Sequence, residues 1–386
     1  MENNNQKQSN PKILLGLLTI FALILLTSCQ NNPIESQNQE DYDSIFLPKH
    51  SNLFHIEYYK NHKKIFVKNP WDSTQNLAKY IVSLQPEKQP ENSGFTLVKT
   101  PLKSIATLFA PDVAFANKLE IVNLIRAVSS IQYVHNEQLN QQVEEGKTID
   151  VGPSEAYNVE KLIASGVVAC FVSPFRENRY QKIEEAEIAL IVNACHMEDK
   201  PLARAEWILF FASFFDKEEI AKEIFQDIEN QYNSTKSKFE DIKNRPKVFS
   251  GKMYQDIWYV SGGKSFTSEL FNDAGGDYIW KHLPYSGSEP YDLEIILSDA
   301  INADFWFIQD YTDTNYNYQR LASENAKYSL FDAFKNQNVV LCNSKYNSYY
   351  EDGVLEPHII LMDMAKVFHP EIMEEHQFKY FKPLKK

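Results

Sequence analysis

The chain has 386 residues, of which 43% are hydrophobic and 13% aromatic, enough to fill two hydrophobic cores and unlike the composition of a disordered chain. Its net charge of −13 makes nucleic acid a poor partner, because phosphate groups would repel it. The chain has four cysteines and no Cys-x-x-Cys pair, which argues against a disulfide scaffold, a structural zinc site or thiol redox chemistry.

Residues 1–28 have the pattern of a secretion signal. Lys7 and Lys12 precede an apolar run of about 14 residues, which is short for a membrane span and typical of a signal peptide. The run ends in Leu-Thr-Ser-Cys, which resembles the bacterial lipobox and makes Cys29 the predicted lipidation site. The alternative is an uncleaved anchor with a chance cysteine. The resemblance implies a protein held by lipid outside the cytoplasmic membrane, on its periplasmic face, with residues 29–52 as a polar tether.

Residues 53–95 are predicted to form an N-terminal β extension. Two strand-like runs, 53–59 and 64–67, surround the polar segment Lys-Asn-His-Lys, which is typical of a hairpin. Residues 77–84 suggest one more strand, and residues 85–96, with prolines and a glycine, suggest a connector.

Beyond residue 96, short apolar runs alternate with amphipathic segments, which predicts parallel sheets with helical crossovers. The first lobe, 96–215, has predicted strands at 104–109, 131–135, 167–172 and 188–192 and helices at 112–126, 156–164 and 179–187. The second lobe, 246–386, has predicted strands at 247–251, 305–309 and 339–343 and helices at 265–274, 292–302 and 355–368. The predicted fold class is therefore α/β, with two α/β lobes. Ligands in such folds bind beyond the carboxyl ends of the strands, which predicts a cleft between the lobes.

A long helix is predicted over residues 216–242, between two strand-like segments, as the core of a bridging segment 216–245. Ile220, Ile224, Ile228 and Tyr232 recur at the spacing of one helical face. Asp216 followed by Glu219 has the pattern of a capping box. At about 1.5 Å per residue such a helix is on the order of 40 Å long and can join two lobes. A surface helix within a single domain is the alternative.

The order of these features resembles the class III periplasmic solute-binding proteins of ABC importers, which take up cobalamin, ferric siderophores and haem. The segments that carry the resemblance are SIATL at 104–108, NVEKL at 158–162, PLARAEW at 201–207, SGGKS at 261–265 after Trp258, AGGDY at 274–278, DLE at 292–294 and ADFW at 303–306. The N-terminal hairpin with Asn-Pro-Trp at 69–71 resembles a Bacteroidetes-type branch. The resemblance implies a monomeric cargo-binding protein without a cofactor, which delivers a small molecule to an ABC permease and its ATPase.

The resemblance also implies two docking residues. Members of the family present one exposed carboxylate per lobe to arginines of the permease, and Glu160 and Glu294 occupy matching places near the starts of two helices. The alternative is that each is an acid favoured at a helix N-terminus.

Candidate ligand-binding residues are those that follow predicted strands, because these positions meet at the cleft. Aromatic walls with a few polar groups suit a large flat ligand. The candidates are Phe109, His135, Phe175, Arg176, His196, Trp258, Tyr311, Tyr349 and Tyr350, with Pro111 and Arg179 beside them. The arginines would pair with carboxylates of a siderophore or haem, or else are surface charges.

A bare zinc or manganese ion is the alternative cargo. His135 and His196, joined by Glu198, Asp199 or a tyrosine, would bind such an ion or supply an axial ligand to haem iron, unless they are ordinary hydrogen-bonded loop residues. An extracytoplasmic enzyme is the remaining alternative, but the sequence has no Gly-x-Ser-x-Gly, His-Glu-x-x-His or Gly-x-Gly-x-x-Gly motif. The SGGKS segment is no phosphate loop, because Trp258 stands where that motif requires its first glycine.

Overall fold

The computed structural model describes residues 42–86, 94–177 and 179–386. The predicted signal peptide, the lipidation site Cys29 and most of the predicted tether lie outside these residues. Within the described ranges, no helix is long and apolar enough to cross a membrane. Cys170, Cys195 and Cys342 are all buried and are not joined by disulfide bonds.

A five-stranded sheet begins the described chain. Its first four strands pair antiparallel in chain order and the fifth joins parallel to the fourth, so the predicted hairpin is confirmed. The strands are β1 Ser44–Phe46, β2 Phe54–Tyr58, β3 Lys63–Asn69, β4 Asp72–Ser83 and β5 Thr96–Lys99. The extension is larger than predicted: it runs beyond residue 95, and β1 lies inside the predicted tether, where it pairs with β2.

The first lobe is built on a second five-stranded sheet, which is parallel throughout and has the order β10-β9-β6-β7-β8. Its strands are β6 Ile105–Thr107, β7 Ile125–Val128, β8 Ile149–Asp150, β9 Ala169–Val172 and β10 Ala189–Val192. Its helices are α1 Pro111–Lys118, α2 Glu137–Glu144, α3 Val159–Ala164 and α4 Gln181–Glu185. The order reverses beside β6, so a crevice is expected beyond the carboxyl ends of the central strands.

The predicted strand at 131–135 is wrong. Ile131–Tyr133 form a 3-10 turn, and the strand is instead β7, which overlaps the end of the predicted helix 112–126. Helix α1 ends at Lys118 and Glu120 then adopts a left-handed backbone with φ 58°. The chain therefore cannot continue as a helix, and the β-branched residues that follow enter the sheet.

Two helices follow the first sheet: α5 at Pro201–Ala212 and α6 at Glu218–Lys236. The segment before the long helix is thus helical, whereas the sequence suggested a strand. Helix α6 has 19 residues and is about 28 Å long, shorter than predicted, with a 3-10 turn at Ser237–Phe239. Asp216 has φ 56° and does not cap the helix, because its carboxylate binds the Lys63 ammonium at 3.2 Å and the Thr100 hydroxyl at 3.0 Å.

The second lobe contains the two remaining sheets of the described chain. One has the order β14-β11-β16-β17-β18 and is parallel except for β18, and the other is the antiparallel sheet β12-β13-β15. The strands are β11 Lys247–Ser250, β12 Met253–Tyr254, β13 Ile257–Ser261, β14 Asp277–Tyr278, β15 Ser288–Tyr291, β16 Phe305–Asp310, β17 Val339–Asn343 and β18 Phe381–Pro383. The helices are α7 Phe266–Asp273, α8 Leu293–Ala300, α9 Tyr318–Glu324, α10 Asp332–Lys335, α11 Tyr349–Asp352 and α12 Pro357–Phe368.

Helix α6 contacts both lobes. Near its start it packs against α5, and farther along it packs against α12. The Tyr232 hydroxyl donates to the Asp273 carboxylate of α7 at 2.7 Å, and the Lys236 ammonium lies 2.9 Å from the same carboxylate. The predicted α/β fold with two lobes and a bridging helix is confirmed.

Candidate functional site

A cavity of about 550 Å³, the interlobe cavity, lies between the two lobes. Its volume is in the range of sites that enclose a small-molecule ligand. The first lobe contributes residues that follow β6 and β10, and the second lobe contributes residues that follow β13 and β17 and Gln309 near the carboxyl end of β16. The site therefore lies where parallel sheets usually bind ligands.

The loop after β6 is held in place by a buried carboxyl group. Asp112 accepts a hydrogen bond from the Asn193 amide at 2.6 Å and lies 2.8 Å from the Thr107 hydroxyl. Because Asn193 follows β10, this contact ties together the two loops that form the first-lobe wall. Burial raises the pKa of Asp112 to about 7, although the hydrogen bond from Asn193 opposes the shift.

His196 lies on the first-lobe wall and packs edge-on against Phe109, with ring centroids 5.4 Å apart. Burial, assisted by the nearby charge of Arg204, lowers the pKa of His196 to about 4. The imidazole is therefore neutral at pH 7. Its Nδ1 atom is buried and has no hydrogen-bond partner among the residues that the structure describes.

The second-lobe wall is formed by the SGGKS loop and the start of α7. A side chain at Gly262 would lie 1.9 Å from the Tyr285 carbonyl oxygen, so the close approach of these loops requires glycine. The Ser265 hydroxyl accepts a hydrogen bond from the Ser268 amide at 3.1 Å and caps α7. Phe266 and Thr267, the first residues of α7, line the cavity.

Two tyrosines of α11 complete the aromatic lining. The rings of Tyr349 and Tyr350 are 5.3 Å apart and nearly perpendicular. Together with Phe109 and Phe266 they surround the cavity. The lining thus combines large apolar rings with hydroxyl and amide groups from Ser261, Ser265, Thr267, Ser286, Ser288 and Gln309.

Arg204 of α5 brings a cation to the cavity wall. Its guanidinium carbon lies 4.0 Å from the Phe266 ring centroid, and its Nε donates to the Glu198 carbonyl oxygen at 2.8 Å. Burial lowers the pKa of Arg204, whereas Cys195, Tyr349 and Asp199 raise it. The pKa of Asp199, which also lines the cavity, is raised by burial, against the Ser286 hydrogen bond and the charge of Arg204.

A second cavity of about 280 Å³, the annex, shares Ser261, Thr267, Gln309, Tyr349 and Tyr350 with the interlobe cavity. Its other lining residues include buried apolar side chains of the second lobe, namely Leu270, Phe271, Phe307, Met364 and Phe381, together with the ion pair of Lys252 and Asp310. The annex therefore continues the interlobe cavity with a lining of mixed polarity.

Five of the predicted ligand-binding residues are not among those that line the interlobe cavity. His135 and Tyr311 lie at another contact between the lobes: the His135 amide donates to the Glu351 carboxylate at 2.6 Å, and Tyr311 packs 5.3 Å from Tyr133. Trp258 is fully buried in the second-lobe core, where its indole N–H donates to the Ser250 carbonyl at 3.0 Å.

Phe175 and Arg176 belong to the loop after β9, outside the cavity lining. The Arg179 guanidinium lies over the Phe175 ring at 4.4 Å, and that of Arg176 lies 5.7 Å from the ring of Trp71 in the N-terminal extension. Both arginines thus lie against neighbouring rings outside the cavity lining, whereas Phe109, Pro111, His196, Tyr349 and Tyr350 line the cavity.

The two histidines considered as metal ligands are not brought together at the cavity. Only His196 belongs to the lining, while the His135 ring lies 3.3 Å from the Ser344 carbonyl oxygen. Among residues 42–86, 94–177 and 179–386, no group of three or more histidine, cysteine, aspartate or glutamate side chains is arranged to hold a metal ion.

Arg204 is the main feature of the site that sequence reasoning missed. Rules based on strand ends do not select a residue inside a helix. The available signal was a single arginine among residues such as Leu202, Ala203, Ala205 and Trp207, which are all buried. A cation within an apolar helix is costly unless it has a partner, so a lone arginine in such a helix indicates a position that binds a partner.

The chain is similar to known binding proteins. A family model described as "periplasmic binding protein" matches residues 125–346. An uncharacterized lipoprotein of Methanocaldococcus jannaschii is 29% identical over 333 residues, covering 83% of this chain and 75% of the relative.

Solved structures share the fold. A structure of S. aureus IsdE complexed with heme has a TM-score of 0.54 and 15% identity, covering 69% of this chain and 98% of that chain. The siderophore-binding protein BauB, bound to a complex of two acinetobactin molecules and ferric iron, has a TM-score of 0.54 and 18% identity, covering 70% and 94%.

Proposed function

The chain belongs to the periplasmic binding protein family. We propose that it captures an iron complex (a siderophore or haem) or cobalamin outside the cytoplasmic membrane and delivers it to an ABC permease. Members of this family bind solutes for ABC permeases, so the chain is a solute-binding protein and no enzyme, and its ligand is cargo instead of a cofactor. The observation that carries the proposal is the interlobe cavity, lined from both lobes by aromatic rings and hydroxyl groups.

The nature of the cargo follows from the lining and from the structural neighbours. Rings of Phe109, Phe266, Tyr349 and Tyr350 suit a large, flat or aromatic ligand. The annex extends the space available to such a ligand. Binding of haem by one neighbour and of a ferric siderophore by another supports a metal chelate as the class of cargo.

A bare zinc or manganese ion is the second candidate. It would need three or four converging histidine or carboxylate ligands. The described residues contain no such group, and His196 has a buried Nδ1 without a partner. These observations favour a chelate over a bare ion.

The attachment to the membrane is part of the proposal. Cys29, after its apolar run, fits a lipid anchor, and a relative named as a lipoprotein supports it. The anchored protein would act as a monomer on the periplasmic face. We also propose the division into lobes 96–215 and 246–386 with the bridging segment 216–245, supported by a separate parallel-stranded sheet in each lobe.

Docking on the permease is proposed to use Glu160 and Glu294. Each lies in the first turn of a helix, α3 and α8 respectively, one in each lobe, and both are exposed. Glu294 pairs with Lys327 at 2.6 Å, a contact that lowers its pKa. Exposed carboxylates on two lobes would orient the protein on a basic surface more than they would add affinity.

A titration of the soluble form, residues 30–386, tests the cargo class. We expect haemin, a ferric siderophore or cobalamin to quench the fluorescence of the five tryptophans in a saturable way, with zinc chloride as the bare-ion probe. Tyr350→Ala should weaken binding about 5- to 30-fold, because stacking contacts contribute on the order of 1–2 kcal/mol.

Tyr346→Ala is the matched control, because Tyr346 is an exposed tyrosine that lines neither the interlobe cavity nor the annex. Saturable binding of zinc alone, or equal losses in both variants, would contradict a chelate bound in the interlobe cavity.

A further inference from the structure

Arg204 carries a positive charge that forms no ion pair with the residues that the structure describes. Its guanidinium lies close to Phe266, and Nε is its one donor to an acceptor among the described residues, the Glu198 carbonyl oxygen. In the described part of the chain, no carboxylate lies within ion-pairing distance of this guanidinium. A mostly buried charge without a partner is costly, and in proteins such charges are normally paired.

The two terminal nitrogens of Arg204 are left for a ligand. Neither donates to an acceptor among the described residues. Both keep some accessible surface, because neither is among the fully buried side-chain atoms that lack a partner. A guanidinium presents these nitrogens as a planar fork that matches two oxygens of one carboxylate.

The start of α7 approaches the same space from the second lobe. Phe266, which packs against Arg204, and Thr267 are its first two residues, and both line the cavity. The amides at the start of a helix have no partners within it, and the helix dipole places a partial positive charge there. A basic side chain of one lobe thus meets a helix N-terminus of the other.

Among the described residues, Asp199 is the one acidic residue that lines the cavity, and it forms no ion pair with Arg204. Its hydrogen-bond partner is Ser286 of the second lobe. The positive charge of Arg204 therefore remains available within the cavity.

We propose that Arg204 and the N-terminus of α7 form an anion-binding site, which takes one acidic oxygen group, such as a carboxylate, of the cargo. The inference rests on the proposed function and specifies it further: the cargo is an anion at this position. Because the two halves of the site belong to different lobes, the bound anion also fastens the lobes together.

Paired probes test this site. Haemin carries two free carboxylates, whereas haemin dimethyl ester has the same ring without them. Ferric citrate and ferrichrome form a second pair, the first anionic and the second neutral. Each probe is titrated against the wild type, Arg204→Gln, Arg204→Lys and the control Arg320→Gln, which removes an exposed arginine of α9.

We expect Arg204→Gln to weaken binding of the anionic probe about 10- to 100-fold, the range of a charge-assisted hydrogen bond. Binding of the neutral partner of that pair should stay unchanged, which separates the loss of charge from a loss of folding. Arg204→Lys should lie between, because it keeps the charge and loses the fork. Arg320→Gln should match the wild type for every probe.

Equal effects of Arg204→Gln on the anionic and neutral members of a pair, or no effect on either, would overturn the anion site and leave the cargo-binding function intact. If no chelate binds the wild type, the proposed function fails, and calorimetry with citrate alone decides the anion site. Citrate binding that disappears in Arg204→Gln would support the site, and its absence from the wild type would overturn it.

Discussion

Asp112 shows how one buried carboxyl group can shape the wall of a binding cavity. The Thr107 hydroxyl has a single proton, yet it lies 2.9 Å from the Phe109 carbonyl oxygen and 2.8 Å from Asp112. A protonated Asp112 satisfies both contacts, because the acid then donates to Thr107 and the hydroxyl donates to Phe109. The raised pKa of Asp112, about 7 and caused by burial, agrees with this arrangement.

The free energy of unfolding should depend on pH through Asp112. The pKa of Asp112 is higher in the folded chain, about 7, than its ordinary value, about 3.9, so between these values the folded chain binds more protons. Its contribution to the free energy of unfolding is therefore fully present at low pH and falls as pH rises from about 4 to about 7, by at most about 1.4 kcal/mol per pH unit.

The substitution Asp112→Asn should remove this part of the pH dependence. An amide can donate to Thr107 and accept from Asn193, as the protonated acid does, so the variant should fold. Urea unfolding at pH 5.5 and 7.5 should show a smaller loss for Asp112→Asn than for the wild type, while Asp112→Ala should be destabilised at both values. Equal losses in the wild type and in Asp112→Asn would contradict the assignment of a proton to Asp112.

Helix α5 fixes the N-terminal extension to the first lobe. The Glu206 carboxylate of α5 is buried and accepts hydrogen bonds from the backbone amides of Lys49, His50 and Ser51 at 2.7, 2.8 and 2.8 Å. Trp207, next along the helix, packs against Phe54 of β2 with ring centroids 4.9 Å apart. Glu206 therefore binds the backbone of the turn before β2, while Glu198 and Glu229 bind its side chains.

Glu206→Ala should destabilise the protein by about 2–5 kcal/mol, because it removes the acceptor of three amide donors, two of them part-buried and that of Ser51 buried. Glu206→Gln, which keeps one acceptor oxygen, should cost less. Glu219→Ala is the matched control, since Glu219 forms an exposed pair with Lys222 that is worth at most about 1 kcal/mol. Similar urea midpoints for Glu206→Ala and Glu219→Ala would show that the turn is held by other contacts.

The regular elements were predictable where the local pattern and the tertiary environment agree. Strand β17 coincides with the predicted 339–343, because its apolar run is short and bounded by polar residues. Strand β7 was missed because its residues continue the apolar pattern of α1, and the break depends on the left-handed backbone of Glu120. Such a backbone conformation is uncommon for a glutamate and has no clear sequence signal.

The site was partly predictable for a similar reason. Phe109, His196, Tyr349 and Tyr350 follow strands and line the cavity, as topology requires. Trp258 lies within β13, and its aromatic neighbours Phe249 and Trp306 draw it into the core. Whether a large ring faces a cavity or a core depends on packing between distant segments, which strand spacing does not encode.

The two lobes are joined by side-chain contacts of helix α11 as well as by helix α6. Glu351 of α11 is buried, and its carboxylate accepts hydrogen bonds from the first-lobe amides of His135 and Asn136. Helix α11 also carries Tyr349 and Tyr350, which line the cavity, and it packs against α1. Glu351 thus connects the wall of the cavity to the opposite lobe, and we expect a rigid α6 helix to keep the motion between the lobes small.

Opening of the lobes should depend on pH through Glu351. Burial raises the pKa of Glu351 to about 7, with the His135 amide opposing and Asp352 assisting the shift. If opening exposes this carboxyl group, its pKa returns towards about 4.3 and a proton is released. Opening should then become easier as pH rises from about 4.5 to about 7, by at most about tenfold per pH unit, and should level off above pH 7.

Hydrogen exchange at the amides of His135 and Asn136 measures this opening, once rates are corrected for the intrinsic effect of pH. We expect protection in the wild type to fall between pH 5 and pH 7. In Glu351→Gln the side chain still accepts a hydrogen bond but does not titrate, so protection should be independent of pH. Glu375→Gln, which neutralises an exposed carboxylate, should behave as the wild type. Because the same helix positions Tyr349 and Tyr350, Glu351→Ala should also weaken cargo binding, and unchanged binding together with unchanged protection would show that Glu351 does not couple the cavity to the opposite lobe.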